Sequence, residues 1–267
     1  MAGTTGARRH NPSGPPPRLT ALVVVHNEDA QLADCLRGLA FCDEIVVVLD
    51  RCTDGSRGIA AEVTDRLVEG AWPREGTRRH AGIDACGGEW ILEVDADERV
   101  TAELASEIRE TVESGEFDYH PIPFDNYVGQ RLVRYGWGAQ FGVGSKPCLF
   151  RKGVKTWGDQ RVHPKLTWSP GARRGPRLHH RMVHHVDRDI SGMIQRLDRY
   201  TTAHAQDLRD GGDLGSAFHN YRRIVSRFWK CFVGRKGYRE GRLGFVVALC
   251  AALYPILSYL KARHIED

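Results

Sequence analysis

Residues 19–50 read LTALVVVHNEDAQLADCLRGLAFCDEIVVVLD. Leu19–Val25 is a short apolar, β-rich run that stops at His26, Asn27 and Glu28. In the next stretch Leu32, Leu36 and Leu39 recur at helical spacing, and a second β run follows to Asp50. Strand, helix and strand in so short a length make a βαβ unit, and the two strands of such a unit are parallel.

The pattern repeats downstream. SRGIAAEVTDRLVEG (56–70) predicts a helix. RRHAGIDACGGEW (78–90) predicts a further helix with its stop at Gly87 and Gly88, and WILEVDAD (90–97) a third buried strand. TAELASEIRETVESG (101–115) starts with Thr101 three residues before Leu104 and has Glu103 in its first turn, the signature of a capped helix. Alternating β and α segments imply an α/β fold: a mostly parallel sheet with helices on both faces. Ligands bind such sheets beyond the carboxyl ends of the strands. By that rule HNED, LDRCTDGS and DADE open onto one edge, and Asp95 and Asp97 stand where a ligand is expected, with Glu28 and Asp50. Carboxylates this close repel one another unless something positive joins them. Hard oxygen ligands at a strand end suit Mg²⁺ or Mn²⁺, which bridges substrate phosphates. A P-loop and a G-x-G-x-x-G element are both missing, so phosphate would be held by metal and arginine.

At 267 residues, 41% hydrophobic and 27% charged, the chain has the composition of an ordinary globular protein. A net charge of +4 gives no reason to invoke nucleic acid. Seven scattered cysteines without a Cys-x-x-Cys pair argue for reduced thiols in the cytosol, against a disulfide framework and a cysteine zinc site. Residues 1–17 (MAGTTGARRHNPSGPPP) lack any apolar stretch and read as a disordered tail.

LVVVHNEDAQLADCLRGL, EIVVVLDRCTDGS, RRHAGIDACGGEWILEVDADERV and LFRKG occur in an order and at separations that resemble the inverting family-two glycosyltransferases of GT-A (Rossmann-like) fold. The likeness is nearest to the branch with lipopolysaccharide core glucosyltransferases. HHVDRDI (184–190) and QRLDRY (195–200) resemble two later elements of that branch. The resemblance implies that His26, Asn27 and Glu28 lie beside a nucleotide, that Asp50 hydrogen-bonds the base, and that Arg79 meets the nucleotide or diphosphate. Asp95 would serve the ribose and the metal shell, Asp97 would ligate the metal, and His184 would be a third ligand. Leu49 and His80 depart from the pattern, which has Asp and Asn at those places. The acceptor-side base falls in WGDQRVHPK (157–165), where Asp159 and His163 are kept and Pro164 replaces a glutamate; Asp159 is the first choice and His163 the reserve. HHRMVHHVD (179–187) is not a four-histidine zinc site, because alternation along a strand puts His180 and His184 on one face and His185 on the other. Tyr135 and Trp137 could stack on a sugar, although core packing is the commoner fate of such rings.

Between Arg222 and Arg242 lie eight Lys or Arg residues and one acid, Glu240, interleaved with Tyr221, Phe228, Trp229 and Phe232; the uncharged run Leu243–Leu260 follows. A basic, aromatic stretch beside an apolar helix fits a monotopic anchor on an anionic membrane surface, with a spanning helix, at the length limit and interrupted by Pro255, and burial against the catalytic domain as the alternatives. The chain thus divides into the tail (1–17), a GT-A glycosyltransferase domain (18–190) and a helical, membrane-associating region (191–267). The implied protein is a metal-dependent inverting hexosyltransferase, peripheral on the cytoplasmic face of the inner membrane. It would move a sugar from a nucleotide diphosphate donor, UDP-hexose first among them, to a glycan or lipid-linked acceptor in bacterial surface-polysaccharide or lipopolysaccharide assembly. A sugar-1-phosphate nucleotidyltransferase would share a similar sheet but carry a glycine-rich phosphate loop after the first strand. A degenerate scaffold of the same fold would bind without turnover.

Overall fold

The computed structural model describes residues 18–137, 142–161, 164–212 and 214–264. The expected disordered tail lies outside these residues. The chain packs as two compact units. The first gathers the described residues up to Phe124 with Ser145–Asp159 and Pro164–Val183. The second gathers those of Asp125–Gly144, Gln160–His163 and His184–Asp267.

In the first unit, β1 (Leu19–Val25) leads through α1 (Asp29–Arg37) to β2 (Glu44–Asp50), then through α2 (Ser56–Val63) to β3 (Leu67–Gly70) and through α3 (Glu75–Ala85) to β4 (Trp90–Asp95). The four strands are parallel in the order β3-β2-β1-β4. Every residue of β1 and β2 is buried. That is why their sequences are continuous Val, Leu and Ile rather than alternating. A short β5 (Glu98–Arg99) and α4 (Ala102–Ser114) follow. Thr101 caps α4 by accepting the Leu104 N–H, and Gly115 ends it in the left-handed region. Beyond β4 the sheet becomes antiparallel. β8 (Ser145–Arg151) pairs with β4, and β6 (Tyr119–Val128) pairs with β8 through its first half. β9 (Lys155–Trp157) and β10 (Leu166–Trp168) form a separate antiparallel pair. The α/β fold with its parallel core is the one expected, and the sheet as a whole is mixed.

Residues 56–70 are only half helix. Thr64 leaves α2, its hydroxyl donating to the Ile45 carbonyl at 2.8 Å. Leu67–Gly70 then joins β2 as a parallel edge strand. Likewise α3 stops at Ala85, two residues before the glycines. Gly88 serves packing instead: a Cβ there would stand 2.6 Å from the Thr20 hydroxyl.

In the second unit, the far half of β6 pairs with β7 (Arg131–Val133). β11 (Met182–Asp187) runs into α5 (Ile190–Asp210), and α6 (Ala217–Trp229) is followed by a π turn and a 3-10 turn and then α7 (Gly241–His264). The HHVDRDI element is a helix entry. Asp189 caps α5 at the Gly192 N–H, and Asp187 accepts from Arg196 at 2.7 Å. One core joins Val128, Val133, Trp137 and Val186 to Met193, Leu197 and the α7 residues Val247, Ala248 and Ala251. Gly136 and Gly237 make this closeness possible, since a Cβ on Gly136 would lie 2.8 Å from the Gly237 Cα. α7 is the one helix among the described residues long and apolar enough to cross a membrane, yet much of that stretch is buried in the unit's own core. Trp137 also belongs to this core, its indole N–H donating to the Val133 carbonyl at 2.6 Å. It is not a surface for stacking a sugar.

Candidate functional site

The parallel registers Val25↔Leu49 and Val24↔Asp95 bring the ends of β1, β2 and β4 to one edge of the first unit. The loops after β1 and β2 are laced together. Asn27, in the left-handed region at φ 56°, accepts the Thr53 N–H at 2.7 Å. The Glu28 N–H donates to the Ser56 hydroxyl at 3.0 Å, and the Asp29 N–H to Asp54 at 2.9 Å. His26 is exposed, with Nδ1 donating to the Asp50 carbonyl at 2.6 Å.

Asp50 has a different setting from that of a base-reading group on the surface. It is fully buried, and Arg51 folds back on it with Nε and Nη2 each at 3.0 Å, from a left-handed backbone at φ 50°. Arg78 reaches it at 3.0 Å and the Trp72 N–H at 3.1 Å. Burial pushes this carboxyl up, but the Arg51 hydrogen bond, the Trp72 N–H and the Arg78 charge outweigh it and hold it below the usual carboxylate range. The Asp50 carboxylate thus orients two guanidinium groups at the strand ends.

A depressed carboxyl adds stability that is fully present above its unfolded pKa and is lost as pH falls through the folded value. Asp50→Asn is therefore expected to cost about 2 kcal/mol near neutrality. The wild-type and variant melting temperatures should converge as the pH drops below about 4. Melts across that range check this; an Asn variant that is equally stable near neutrality would show that the bonds to Asp50 contribute nothing.

The acidic turn after β4 is held by cations from the protein. Asp95 accepts from Arg79 Nη2 at 2.8 Å on one oxygen and from Lys146 Nζ at 3.0 Å on the other. Lys146 also pairs with the buried Glu98, whose other oxygen accepts the Asp95 N–H at 3.0 Å. Burial raises the Asp95 carboxyl, but Arg79 and Lys146 outweigh it and hold it well below the usual range. Arg79 is buried, bonds Glu75 as well at 3.2 Å, and lies 5.0 Å from the centre of the Trp157 ring. Trp157 in turn donates to the buried Glu93 at 2.8 Å, and Glu93 pairs with Lys155. Burial pushes the Lys155 ammonium down, and Glu93 offsets only part of that. Arg99 ties the turn to α1 by donating to the Ala96 carbonyl at 2.7 Å and the Gln31 carbonyl at 3.0 Å. Asp97 is partly exposed, with a carboxylate oxygen within 4.8 Å of one from Glu98. Two hard carboxylates at this spacing, one open to solvent, fit a divalent cation.

Asp159 follows β9 and is exposed; it pairs with Arg74 at the entry to α3, and Arg74 also donates to its carbonyl at 2.8 Å. The close approach depends on Gly76, where a Cβ would lie 2.0 Å from the Gly158 carbonyl oxygen. His80 accepts the Trp157 N–H at 3.2 Å, so this departure from the family pattern helps to hold β9 on α3. His163 lies outside the described residues.

His184 is in the second unit, buried on β11. Asn126 donates its amide N–H to the Val143 carbonyl at 2.8 Å, which fixes its oxygen as the acceptor facing His184 Nδ1 at 2.8 Å. Nδ1 therefore donates, which is the ring orientation a histidine that binds metal through Nε2 needs.

The first unit thus brings together His26, Asn27, Glu28, Asp50, Arg79, Asp95 and Asp97. Sequence reasoning missed Arg51, Arg78, Glu98 and Lys146. Arg78 and Glu98 lie beside residues already singled out, whereas Lys146 comes from a distant antiparallel strand and left no local signal.

Residues 20–141 match the sequence profile of Glycosyl transferase family 2. That match spans a little under half of the chain. The lipopolysaccharide core biosynthesis glycosyltransferase LpsC of Rhizobium meliloti is 25% identical over 263 residues, covering 91% of this chain and 91% of LpsC. An uncharacterized glycosyltransferase of Rickettsia felis is 23% identical, covering 92% of this chain and 89% of that protein. Among solved structures, S. aureus TarS in complex with UDP covers 93% of this chain and 92% of its own, at 13% identity and a TM-score of 0.48.

Proposed function

We propose that this glycosyltransferase moves a hexose from a UDP-sugar, with inversion, to a glycan or lipid-linked acceptor in lipopolysaccharide or related surface-polysaccharide assembly. The observation that carries the reading is the meeting, at one sheet edge, of the DADE turn with Arg51, Arg78, Arg79 and Lys146. The likeness to LpsC supports the acceptor class.

In this mechanism the nucleotide lies along the β1 and β2 loops, beside His26, Asn27 and Glu28. Arg78 and Arg51, oriented by Asp50, offer charge to the nucleotide. Arg79 and Lys146 fix Asp95 toward the ribose and bring positive charge near the diphosphate, whose developing charge they stabilise as the sugar departs. Asp97, with Asp95 as support, would hold Mg²⁺ or Mn²⁺. A bound divalent cation supplies Lewis-acid stabilisation of the leaving diphosphate. Asp159 takes the proton of the acceptor hydroxyl, a direct displacement that needs no covalent intermediate and inverts the anomeric carbon.

Melting the protein with UDP-glucose, UDP-galactose and UDP-GlcNAc, each with and without Mn²⁺, tests the donor, because a ligand of the native state raises stability by mass action. A metal-dependent rise with one UDP-sugar is expected, and no rise with any nucleotide sugar would overturn the reading. Once a donor and acceptor are in hand, Asp159→Asn should lower turnover about 10²-fold or more with donor affinity unchanged. A wild-type rate in that variant would remove Asp159 from the role of base.

A further inference from the structure

The second unit exposes more apolar surface than its core requires. On α6, Phe218, Tyr221, Val225 and Trp229 are 79%, 53%, 72% and 64% exposed. At about 100° per residue they fall within an arc of about 80°, one continuous stripe along the helix. Beside the stripe, Phe228 is partly buried on the unit's core and contacts Phe232 at 5.3 Å and Phe245 at 5.5 Å between ring centres. Phe245 and Leu249 of α7 are themselves 48% and 40% exposed. The apolar surface thus passes from α6 to α7 through touching aromatic rings. Exposed apolar area of this extent marks a docking surface.

The charge around it says what docks. Arg222, Lys230, Arg235, Lys236, Arg239 and Arg242 are all exposed. Between Gly215 and His264 the sequence has a single acid, Glu240. That acid is turned inward: it is buried and accepts the N–H groups of Arg134 at 2.8 Å and Tyr135 at 3.1 Å. The outer surface of α6, the turns and the start of α7 is therefore cationic with no counter-charge from its own segment. Tryptophan and tyrosine favour the headgroup level of a bilayer, where one end of the ring is dry and the other wet.

We infer that this face of α6, with Phe245 and Leu249 of α7, seats the protein on an anionic lipid bilayer. The apolar stripe enters the headgroup boundary while the basic residues beside it meet the anionic headgroups. The α7 helix stays in the protein as the support beneath the contact. Attachment through this face is independent of the transfer chemistry, so its test reads binding alone.

The test is co-sedimentation of the full-length protein with vesicles of phosphatidylethanolamine and phosphatidylglycerol, against pure phosphatidylcholine. Wild-type protein should pellet with the anionic vesicles and much less with the neutral ones. Phe218→Ser combined with Val225→Ser and Trp229→Ser should weaken that binding at least about tenfold. Replacing Arg222, Lys230 and Arg242 by Gln should weaken it about fivefold per residue, as should raising the salt. A second reading needs no disruptive variant: Trp229 fluorescence, taken as the difference between wild type and Trp229→Phe, should be quenched by brominated phosphatidylglycerol. Wild-type protein that ignores both vesicles, serine variants that bind as well as wild type, or an unquenched Trp229 would overturn the inference. So would a wild-type dimer that the serine variants dissociate, since the stripe would then be covered by a second copy.

Discussion

Asp97→Ala is expected to give a folded protein whose turnover is down by about 10³-fold and whose donor no longer raises the melting temperature more strongly with Mn²⁺ present. A carboxylate that holds a divalent cation at the leaving diphosphate supports charge stabilisation worth several kcal/mol, and about 1.4 kcal/mol is a factor of ten. The side chain is partly exposed on a turn that Arg99 and Lys146 anchor through its neighbours, so truncation should not disturb the fold. Asp95→Ala is the informative contrast. That carboxylate joins Arg79 and Lys146, and removing it leaves two cations beside each other with their shared partner gone. It should lower stability by roughly 1–3 kcal/mol, discounted from the fully buried case because Asp95 retains some exposure, and lower activity as well. Parallel melts and rates of the two variants check this. A wild-type rate for Asp97→Ala, or a wild-type enzyme indifferent to EDTA, would end the metal assignment.

Removing residues 243–267 is expected to destroy the second unit. The deletion takes Val247, Ala248, Cys250, Ala251 and Tyr254, all buried, out of a core shared with α5 and β7. Burial of each large apolar side chain contributes about 1.5–3 kcal/mol, so the deletion removes a large part of the 5–15 kcal/mol that a typical domain has in total. The truncated protein should be aggregated or poorly soluble, with a matching loss of helical circular dichroism. Val247→Asp alone should cost at least about 3 kcal/mol, since the carboxylate would have no partner there. A monodisperse truncated protein with the wild-type melting temperature would instead assign α7 to a peripheral anchor.

Much of the site could be read directly from the chain. The apolar runs of β1, β2 and β4 announce buried parallel strands, and parallel strands must deliver HNED, LDRCTDGS and DADE to one edge. The acidic turn was legible for the same reason: carboxylates at the end of an apolar strand demand a cation. Which cation was not legible. Arg79 lies nearby in sequence, but Lys146 arrives on an antiparallel strand about fifty residues away, and only strand pairing decides that it meets Asp95 and Glu98. Asp50 shows the same limit, since its position at a strand end does not tell whether its carboxylate faces a ligand or turns inward to Arg51 and Arg78.

Hydropathy by itself determined that Leu243–Leu260 must leave water, because its uncharged run has no polar face to present. It did not determine what covers it, since lipid and a protein core accept the same side chains. Tertiary packing decided that: α5 and α6 supply the cover, Gly136 and Gly237 let the central segment of the chain approach it, and Trp137 is drawn into the same core. With most of α7 enclosed, a row of exposed apolar residues remains on α6, where Phe218, Tyr221, Val225 and Trp229 repeat with the period of a helix. Periodicity places them on one face, but only the fold tells that none of the described residues covers that face, because burial depends on partners brought from elsewhere in the sequence.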